Sequence, residues 1–165
     1  MFKVDVSHIK ENPGQTMNVI LQGFPAQEKE EEDGVIFSTP VKAVLQLTST
    51  AGAILVQGSV RASVQLNCAR CLEPFTLELE APFEEIYYHE GKGEEEWVPF
   101  SGPVIDLEPE IVKTIYLEVP MKAVCREGCR GLCPQCGKNL NTSECTCSQG
   151  DLDPRLAKLQ DYFRK

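Results

Sequence analysis

The spacing of the cysteines constrains this chain more than any other feature of its sequence. Six of the eight cysteines lie in one short stretch, CREGCRGLCPQCGKNLNTSECTC, and the other two lie in NCARCL near the middle of the 165 residues. They form four close pairs: Cys68/Cys71, Cys125/Cys129, Cys133/Cys136 and Cys145/Cys147. The compartment in which the chain folds decides which chemistry four such pairs can serve.

The N-terminus indicates a reducing compartment. The opening MFKVDVSHIKENPG alternates apolar and polar residues and contains no apolar core of a secretory signal. No apolar run approaches the ~20 residues of a membrane span. We therefore expect a cytoplasmic protein without a membrane partner. In the cytoplasm clustered cysteines are typical of metal ligands, with redox thiols and structural disulfides as the alternatives.

The stretch CPQCG, residues 133–137, is typical of a zinc knuckle. Zinc prefers four tetrahedral ligands, and thiolates are favoured at structural sites. Pro134 fixes the turn between the two cysteines, and Gly137 can adopt a positive φ that lets backbone N–H groups approach the sulfurs. These N–H groups would offset part of the negative charge of four thiolates. We therefore predict zinc as the cofactor, with two Zn2+ ions in two four-cysteine sites.

The predicted ligands divide between two sites in more than one way. We favour a local site made by the last two pairs, because the polar turn GKNLNTSE between them has the right reach. The first two pairs would then tie a hairpin to the C-terminal segment. The alternative joins the second and third pairs, and spacing alone does not decide between the two. The predicted metal ligands are Cys68, Cys71, Cys125, Cys129, Cys133, Cys136, Cys145 and Cys147.

Charge is unevenly distributed along the chain, whose formal net charge is -9. Residues 1–120 carry 8 basic and 20 acidic side chains, whereas residues 121–165 carry 8 basic and 5 acidic ones. An acidic body is not typical of a non-specific nucleic-acid binder, which needs a basic surface. The cations near the thiols could contact RNA or could simply balance the thiolates. These candidate contacts with RNA or a partner are Arg70, Lys122, Arg126, Arg130 and Lys138.

No pattern in the sequence is typical of an enzyme. Catalytic zinc keeps an open position and usually has histidine or carboxylate ligands. The two histidines, His8 and His89, lie in the first predicted strand and in an acidic loop, far from the cysteine stretch. There is no Ser/His/Asp signature, phosphate-binding glycine loop or dinucleotide fingerprint. We therefore predict a protein that is not an enzyme and takes no small-molecule substrate.

Alternating apolar and polar residues predict an antiparallel β-rich body. The predicted strands are MFKVDVSHI, MNVILQGF, VIFSTPVKAVLQLTST, GAILVQGSVRASVQLNC and FTLELEAPFEEIYY. The last two would form a hairpin with Cys68 and Cys71 at its tip, and Gly58 would mark a bend or bulge.

Two helices are predicted beside these strands. One lies near residues 106–118, where apolar residues recur at every fourth position and Asp106 is a plausible N-cap. The other follows Asp153 and Pro154 at the C-terminus and has a single apolar stripe.

These elements predict an α+β, β-dominated fold. It has an antiparallel sheet body with a helix, a zinc-knuckle segment and a C-terminal helix. Residues 1–120 would form the acidic β-rich body with one helix. Residues 121–165 would form the cysteine-rich zinc-binding segment and the terminal helix, packed as one domain with the body.

The longer motifs resemble the YceD family, the large ribosomal RNA subunit accumulation proteins. The matching segments are VQLNCARCLEPF, IDLEPEIVKTIYLEVPMKAVCREGCRGLCPQCGKNLNTSECTC and DPRLAKLQDYF. The resemblance implies a bacterial cytoplasmic protein with relatives in plastids, a role in making or accumulating large-subunit ribosomal RNA, and no enzymatic activity. It also implies that all eight cysteines are metal ligands and that Arg70 lies inside a family motif.

The favoured function is a non-enzymatic ribosome-biogenesis factor. It would support synthesis, processing or accumulation of large-subunit ribosomal RNA and bind a precursor of that RNA or a basic ribosomal protein. The alternative is a redox-responsive chaperone or sensor whose zinc thiolates oxidise and release metal. A third hypothesis is an adaptor domain in which zinc only stabilises the fold.

Overall fold

The computed structural model describes residues 2–26, 35–89 and 97–147. Within these ranges the chain forms eight strands and two helices. The strands are β1 (Lys3–Asp5), β2 (Thr16–Gly23), β3 (Ile36–Phe37), β4 (Val41–Ser49), β5 (Ala53–Asn67), β6 (Pro74–His89), β7 (Val98–Phe100) and β8 (Val104–Asp106). The helices are α1 (Ser7–Lys10) and α2 (Glu108–Glu118).

Six of the strands form one sheet. Strands β2, β4, β5, β6 and β7 are neighbours in that order, and β3 pairs with β5. Every pair is antiparallel except β6 with β7, which run parallel. Strands β1 and β8 form a separate two-stranded ladder. The predicted β-dominated α+β fold is confirmed, with one parallel pair that the sequence analysis did not foresee.

The first predicted strand is wrong in its second half. The stretch MFKVDVSHI was expected to be one strand, but β1 ends at Asp5 and α1 begins at Ser7. The carboxylate of Asp5 accepts the backbone N–H of Ser7 at 2.9 Å and its hydroxyl at 2.6 Å. A side chain bonded to the backbone two residues ahead turns the chain out of a strand.

Strands β5 and β6 form a long, regular hairpin. Their register is unbroken from the pair Ala53–Tyr88 to the pair Asn67–Pro74. Along β5, alternate side chains from Val60 onward are buried and those between them are exposed or half-buried, as predicted. The predicted hairpin is therefore present, and its tip lies between Asn67 and Pro74.

The predicted bulge at Gly58 is wrong. Gly58 lies opposite Leu45 on β4 and Phe83 on β6, and the register is continuous on both sides. A Cβ added to Gly58 would collide with the carbonyl oxygen of Val44 and would lie 2.9 Å from the Cα of Leu45. A glycine is needed here because the backbone of β4 leaves no room for a side chain.

The predicted helix near residues 106–118 is confirmed as α2. The N-cap is Leu107 and not Asp106 as predicted, because the helix begins one residue later, at Glu108. Asp106 Oδ1 instead accepts the backbone N–H of Glu108 at 3.1 Å from the position before the N-cap. Ile111 and Ile115 are buried, and α2 packs on β5 and β6. The helix therefore covers the apolar face of the sheet.

Two further predictions are not decided by these elements. The predicted helix after Asp153 lies outside the described residues. The division of the chain into 1–120 and 121–165 stays a prediction. Within the ranges described, no helix is long and apolar enough to cross a bilayer.

We expect Gly58→Ala to lower the free energy of unfolding by about 1–3 kcal/mol, the usual effect of forcing an extra methyl group into a packed interior. Urea unfolding followed by circular dichroism measures this change. Gly128→Ala is the matched control, because a Cβ at Gly128 would have no atom within 4 Å. Equal losses in the two variants would contradict the close approach of β4 as the reason for Gly58.

Candidate metal centre

The tip of the β5–β6 hairpin brings the first cysteine pair together. The backbone N–H of Cys68 donates to the carbonyl of Glu73 at 2.9 Å, and that of Leu72 donates to the carbonyl of Cys68 at 2.9 Å. Leu72 has a φ of +61°, which is rare for a residue with a side chain. This tight turn leaves Cys68 and Cys71 buried and close to each other.

The segment after α2 returns to this tip. The backbone N–H of Ala69 donates to the carbonyl of Ala123 at 2.8 Å, and the N–H of Leu132 donates to the carbonyl of Arg70 at 3.1 Å. The second cysteine pair thereby meets the first. These four thiols form the hairpin cluster: Cys68, Cys71, Cys125 and Cys129.

The sulfur positions in the hairpin cluster suit a tetrahedral ion. Cys68 Sγ lies 3.8 Å from Cys129 Sγ, and Cys71 Sγ lies 3.8 Å from Cys125 Sγ. All four sulfurs lie within 4.8 Å of one another. Four sulfurs bound tetrahedrally at about 2.3 Å from zinc are separated by about 3.8 Å. The cysteines are free thiols, so the cluster is not a pair of disulfides.

Nitrogen donors approach the sulfurs of Cys68 and Cys129. The backbone N–H groups of Arg70 and Cys125 each donate to Cys68 Sγ at 3.4 Å. The side-chain Nδ2 of Asn141 donates to Cys129 Sγ at 3.4 Å. Donors in these positions stabilise thiolates, because an N–H dipole points its positive end at the sulfur.

The remaining four thiols form the C-terminal cluster: Cys133, Cys136, Cys145 and Cys147. A tight turn builds its first half, since the N–H of Gly137 donates to the carbonyl of Cys133 at 2.9 Å and the N–H of Cys133 donates to the carbonyl of Lys138 at 2.8 Å. Gly137 has a φ of +71°, as the CPQCG stretch predicted. Cys145 Sγ lies 3.4 Å from the sulfurs of both Cys133 and Cys136.

The last pair fits one cluster despite its tight spacing. The N–H of Cys147 donates to Cys145 Sγ at 3.3 Å, and all four sulfurs of the C-terminal cluster lie within 4.8 Å of one another. The structure thus gathers the sulfurs in the favoured division and not in the alternative. The C-terminal cluster is also the more open of the two, since Cys136 is exposed.

Close packing separates the pKa values within each cluster. The N–H of Cys125, with further backbone donors, lowers the pKa of Cys68 to about 6, whereas burial and the sulfur of Cys68 raise the pKa of Cys125 to about 12. The N–H groups of Cys136 and Gln135 lower the pKa of Cys133 to about 6. Four thiolates at this spacing repel one another, so a bound cation is what would allow all four to ionise.

The donor sets fit zinc. Within the described residues, each cluster consists of four soft sulfur ligands. Such a set is typical of structural zinc sites and fills all four positions of a tetrahedral ion. It leaves no position open for a substrate, so the arrangement suits shaping the chain rather than catalysis.

Two of the five predicted contact residues take part in the site itself. Arg70 donates from Nη1 to the carbonyls of Glu127 at 3.3 Å and Cys129 at 3.0 Å. Arg126 donates from Nη2 to Asn141 Oδ1 at 3.0 Å. Both guanidinium groups therefore help to hold the loops around the clusters.

The other three contact residues make no side-chain hydrogen bond within the described residues, although Arg130 lines a cavity together with Cys133, Cys145 and Cys147. The charged groups of Lys122, Arg130 and Lys138 have no hydrogen-bond or ion-pair partner in the part of the chain that the structure describes, and all three residues are exposed. Among the described residues, they are the cations of the original five whose side chains have no partner.

Asn139 and Asn141 are the site residues that the sequence analysis missed. Asn139 Oδ1 accepts the backbone N–H of Asn141 at 3.0 Å and its side-chain Nδ2 at 2.9 Å. Asn139 Nδ2 donates to a carboxylate oxygen of Glu73 on the hairpin at 3.4 Å. The available signal was the stretch NLN, because asparagine side chains often bond to the backbone two residues away.

Comparisons with known proteins agree with the resemblance seen in the sequence. The family model described as Large ribosomal RNA subunit accumulation protein YceD matches residues 56–162. An uncharacterised protein of Mycobacterium tuberculosis is 37% identical over 125 residues, covering 72% of this chain and 60% of the relative. No solved structure matches the chain.

Two plant relatives carry a descriptive name, large ribosomal RNA subunit accumulation protein YCED homolog 1, chloroplastic. The one from Zea mays is 34% identical over 160 residues, covering 76% of this chain and 54% of the relative. The one from Arabidopsis thaliana is 27% identical over 153 residues, covering 73% of this chain and 48% of the relative. The chain therefore spans between about half and three fifths of the length of these relatives.

The division of the sulfurs predicts the metal content of cysteine variants. We expect two zinc ions per wild-type chain, one after Cys68→Ser with Cys71→Ser, and one after Cys133→Ser with Cys136→Ser, because each pair supplies half of a different cluster. Elemental analysis of the purified proteins measures the ratio of zinc to chain.

The two double variants control each other, since each removes two thiols from the same protein. Combining all four substitutions should leave no zinc. If the variant without the hairpin pair kept two ions, that pair would not be a ligand set and the division would be wrong.

Proposed function

The chain belongs to the YceD family of large ribosomal RNA subunit accumulation proteins, and from that premise we propose that it is a non-enzymatic ribosome-biogenesis factor. It supports synthesis, processing or accumulation of large-subunit ribosomal RNA. The observation that carries the proposal is the pair of four-thiol clusters, because the loops that carry the thiols, residues 121–147, also carry the exposed cations Lys122, Arg130 and Lys138. We call residues 121–147 the cationic segment.

Zinc, when bound, supplies the charge that lets four thiols ionise together at each cluster. The ligands are the eight cysteines of the hairpin cluster and the C-terminal cluster. Binding energy at a structural site of this kind is folding energy. The loops that carry the free cations therefore take their shape together with the metal.

RNA phosphates are the ligands that we assign to Lys122, Arg130 and Lys138. Their charges are exposed beside the clusters and unpaired among the described residues. Isolated cations of this kind suit phosphate contacts, which give affinity and orientation without reading sequence. The body is unsuited to the same task, because residues 1–120 carry a net charge of -12.

The acidic body supports a contact with a basic ribosomal protein. Opposite charges speed the encounter of two proteins and exclude partners of the same sign. A chain with an acidic body and a cationic end is suited to bring such a protein and ribosomal RNA together in the cytoplasm.

We expect the triple variant Lys122→Gln, Arg130→Gln, Lys138→Gln to bind in vitro transcribed fragments of large-subunit ribosomal RNA at least tenfold more weakly at low salt. Three lost phosphate contacts should reduce the slope of log affinity against log salt by about 2. Fluorescence anisotropy across a salt series measures both quantities.

A matched control removes the same number and kind of charges from the body. The variant Lys3→Gln, Lys42→Gln, Arg61→Gln changes two lysines and one arginine that are exposed on strands, and it should bind RNA as the wild type does. Equal losses in the two triple variants would mean that net charge, not the cationic segment, governs binding. Undiminished binding in the first variant would refute the assignment.

One observation favours a second function, a redox-responsive zinc-thiolate chaperone or sensor. The C-terminal cluster exposes Cys136, whereas three of the four cysteines of the hairpin cluster are buried. Exposed thiolates meet oxidants first. Two thiolates would pass two electrons to hydrogen peroxide, form a disulfide and release zinc, while the peroxide is reduced to water.

This second function predicts that a low dose of peroxide releases about one zinc per chain and switches on suppression of aggregation of a denatured client protein. A chromophoric chelator follows the zinc, and light scattering follows the client. Cys133→Ser with Cys136→Ser should abolish the response. Zinc that stays bound, or leaves without any gain in suppression, would eliminate this function.

A further inference from the structure

Asn141 lies at the junction of the two clusters. It belongs to the loop between Cys136 and Cys145 of the C-terminal cluster, yet its side chain reaches Cys129 of the hairpin cluster. Asn141 is half-buried. No cysteine is shared between the two sets of sulfurs, so a direct link between them must run through residues such as this one.

Every hydrogen-bonding group of the Asn141 amide is engaged. Its Nδ2 donates to Cys129 Sγ at 3.4 Å and to Asn139 Oδ1 at 2.9 Å. Its Oδ1 accepts the backbone N–H of Arg130 at 2.9 Å and Nη2 of Arg126 at 3.0 Å. An amide bonded on all sides has one orientation, so its donor is aimed at the sulfur by its other partners.

The backbone around Asn141 is held by bonds within the loop that joins the two halves of the C-terminal cluster and by bonds to the segment before Cys133. The N–H of Leu140 donates to the carbonyl of Gly131 at 2.9 Å, and the N–H of Ser143 donates to the carbonyl of Asn139 at 3.0 Å. Leu132 and Asn139 also form a β-bridge. A metal ion that joins Cys133 and Cys136 to the last pair would fix both ends of this loop.

We propose that Asn141 couples the two metal sites, so that zinc in the C-terminal cluster raises the affinity of the hairpin cluster for zinc. The loop ordered by the first ion places Nδ2 of Asn141 against Cys129 Sγ, where it stabilises the thiolate that binds the second ion. Partners of metal ligands typically change affinity by about 10–100-fold. The inference rests on the proposed zinc sites and adds that the zinc affinity of each cluster depends on zinc in the other.

Coupling of this kind is reciprocal. If zinc in one cluster favours zinc in the other, the reverse holds by the same factor. The same amide also holds the backbone of Arg130 and the side chain of Arg126. Full zinc loading therefore fixes the position of residues in the cationic segment as well as the two clusters.

A double-mutant cycle tests the coupling. The four proteins are the wild type, Asn141→Ala, the variant Cys133→Ser with Cys136→Ser, and the combination of all three substitutions. Each is loaded with zinc and titrated with a chelator, and mass spectrometry follows alkylation of Cys68 and Cys71. Protection of these two thiols reports zinc in the hairpin cluster alone.

With Asn141 present, breaking the C-terminal cluster should weaken zinc binding at the hairpin cluster by about tenfold or more. In the Asn141→Ala background, breaking the C-terminal cluster should change that affinity by less than about threefold, because the link is already gone. Asn18→Ala is the matched control. It alters an exposed asparagine of β2 that bonds only to Gln46 in the described structure, and it should leave the tenfold effect intact.

A second substitution secures the result. Asn141→Asp keeps the shape of the side chain and its acceptor oxygens but loses both N–H donors, so it should abolish the coupling as alanine does. If circular dichroism shows that Asn141→Ala does not fold, the Asn141→Asp variant decides the outcome.

Equal effects of the cysteine substitutions with and without Asn141 would overturn the coupling while leaving two zinc sites in place. A wild-type chain whose cysteines are never protected by zinc would overturn the zinc sites as well. The RNA measurement of the preceding subsection tests the proposed function by a separate readout, because it follows RNA binding and not zinc protection.

Discussion

The unbroken ladder between β5 and β6 is the constraint on which the rest of the structure depends. It runs from Ala53 to Asn67 without a bulge, so the buried and exposed faces never exchange along its length. The buried face forms the apolar core beneath α2, and the end of the ladder sets the position of Cys68 and Cys71. A slip of one residue would turn the charged face inward and move the cysteine pair away from the chain that follows α2.

The two clusters meet the same electrostatic demand with different neighbours. The hairpin cluster is buried and takes its donors from three separate parts of the chain, as the contacts of Arg70, Cys125 and Asn141 illustrate. The C-terminal cluster takes its backbone donors from its own turns and is exposed at Cys136. One cluster therefore organises tertiary structure, whereas the other organises a local loop.

Patterns with a local cause were predictable from the sequence, and those that depend on distant partners were not. Alternation identified β5 and β6, and CPQCG predicted the positive φ of Gly137. Helix α1 was not predicted, because a side-chain hydrogen bond of Asp5 ends the strand despite the alternating pattern. The parallel pairing of β6 with β7 and the contact of Asn141 with Cys129 were not predicted, because only the folded chain brings these partners together. Arg70 was identified by position, but its contacts with two loop carbonyls were not.

The separation of the sulfurs along the chain has a consequence for how the protein is made. Cys133 and Cys145 are 12 positions apart, whereas Cys71 and Cys125 are 54 apart. Closing a short loop costs less entropy, so the C-terminal cluster can capture metal while the chain is still unfolded. At usual synthesis rates of about 5–20 residues per second, the hairpin pair emerges roughly 3–10 s before its partners. Two nascent thiols must therefore stay reduced and unoccupied until the segment that completes their site has been translated.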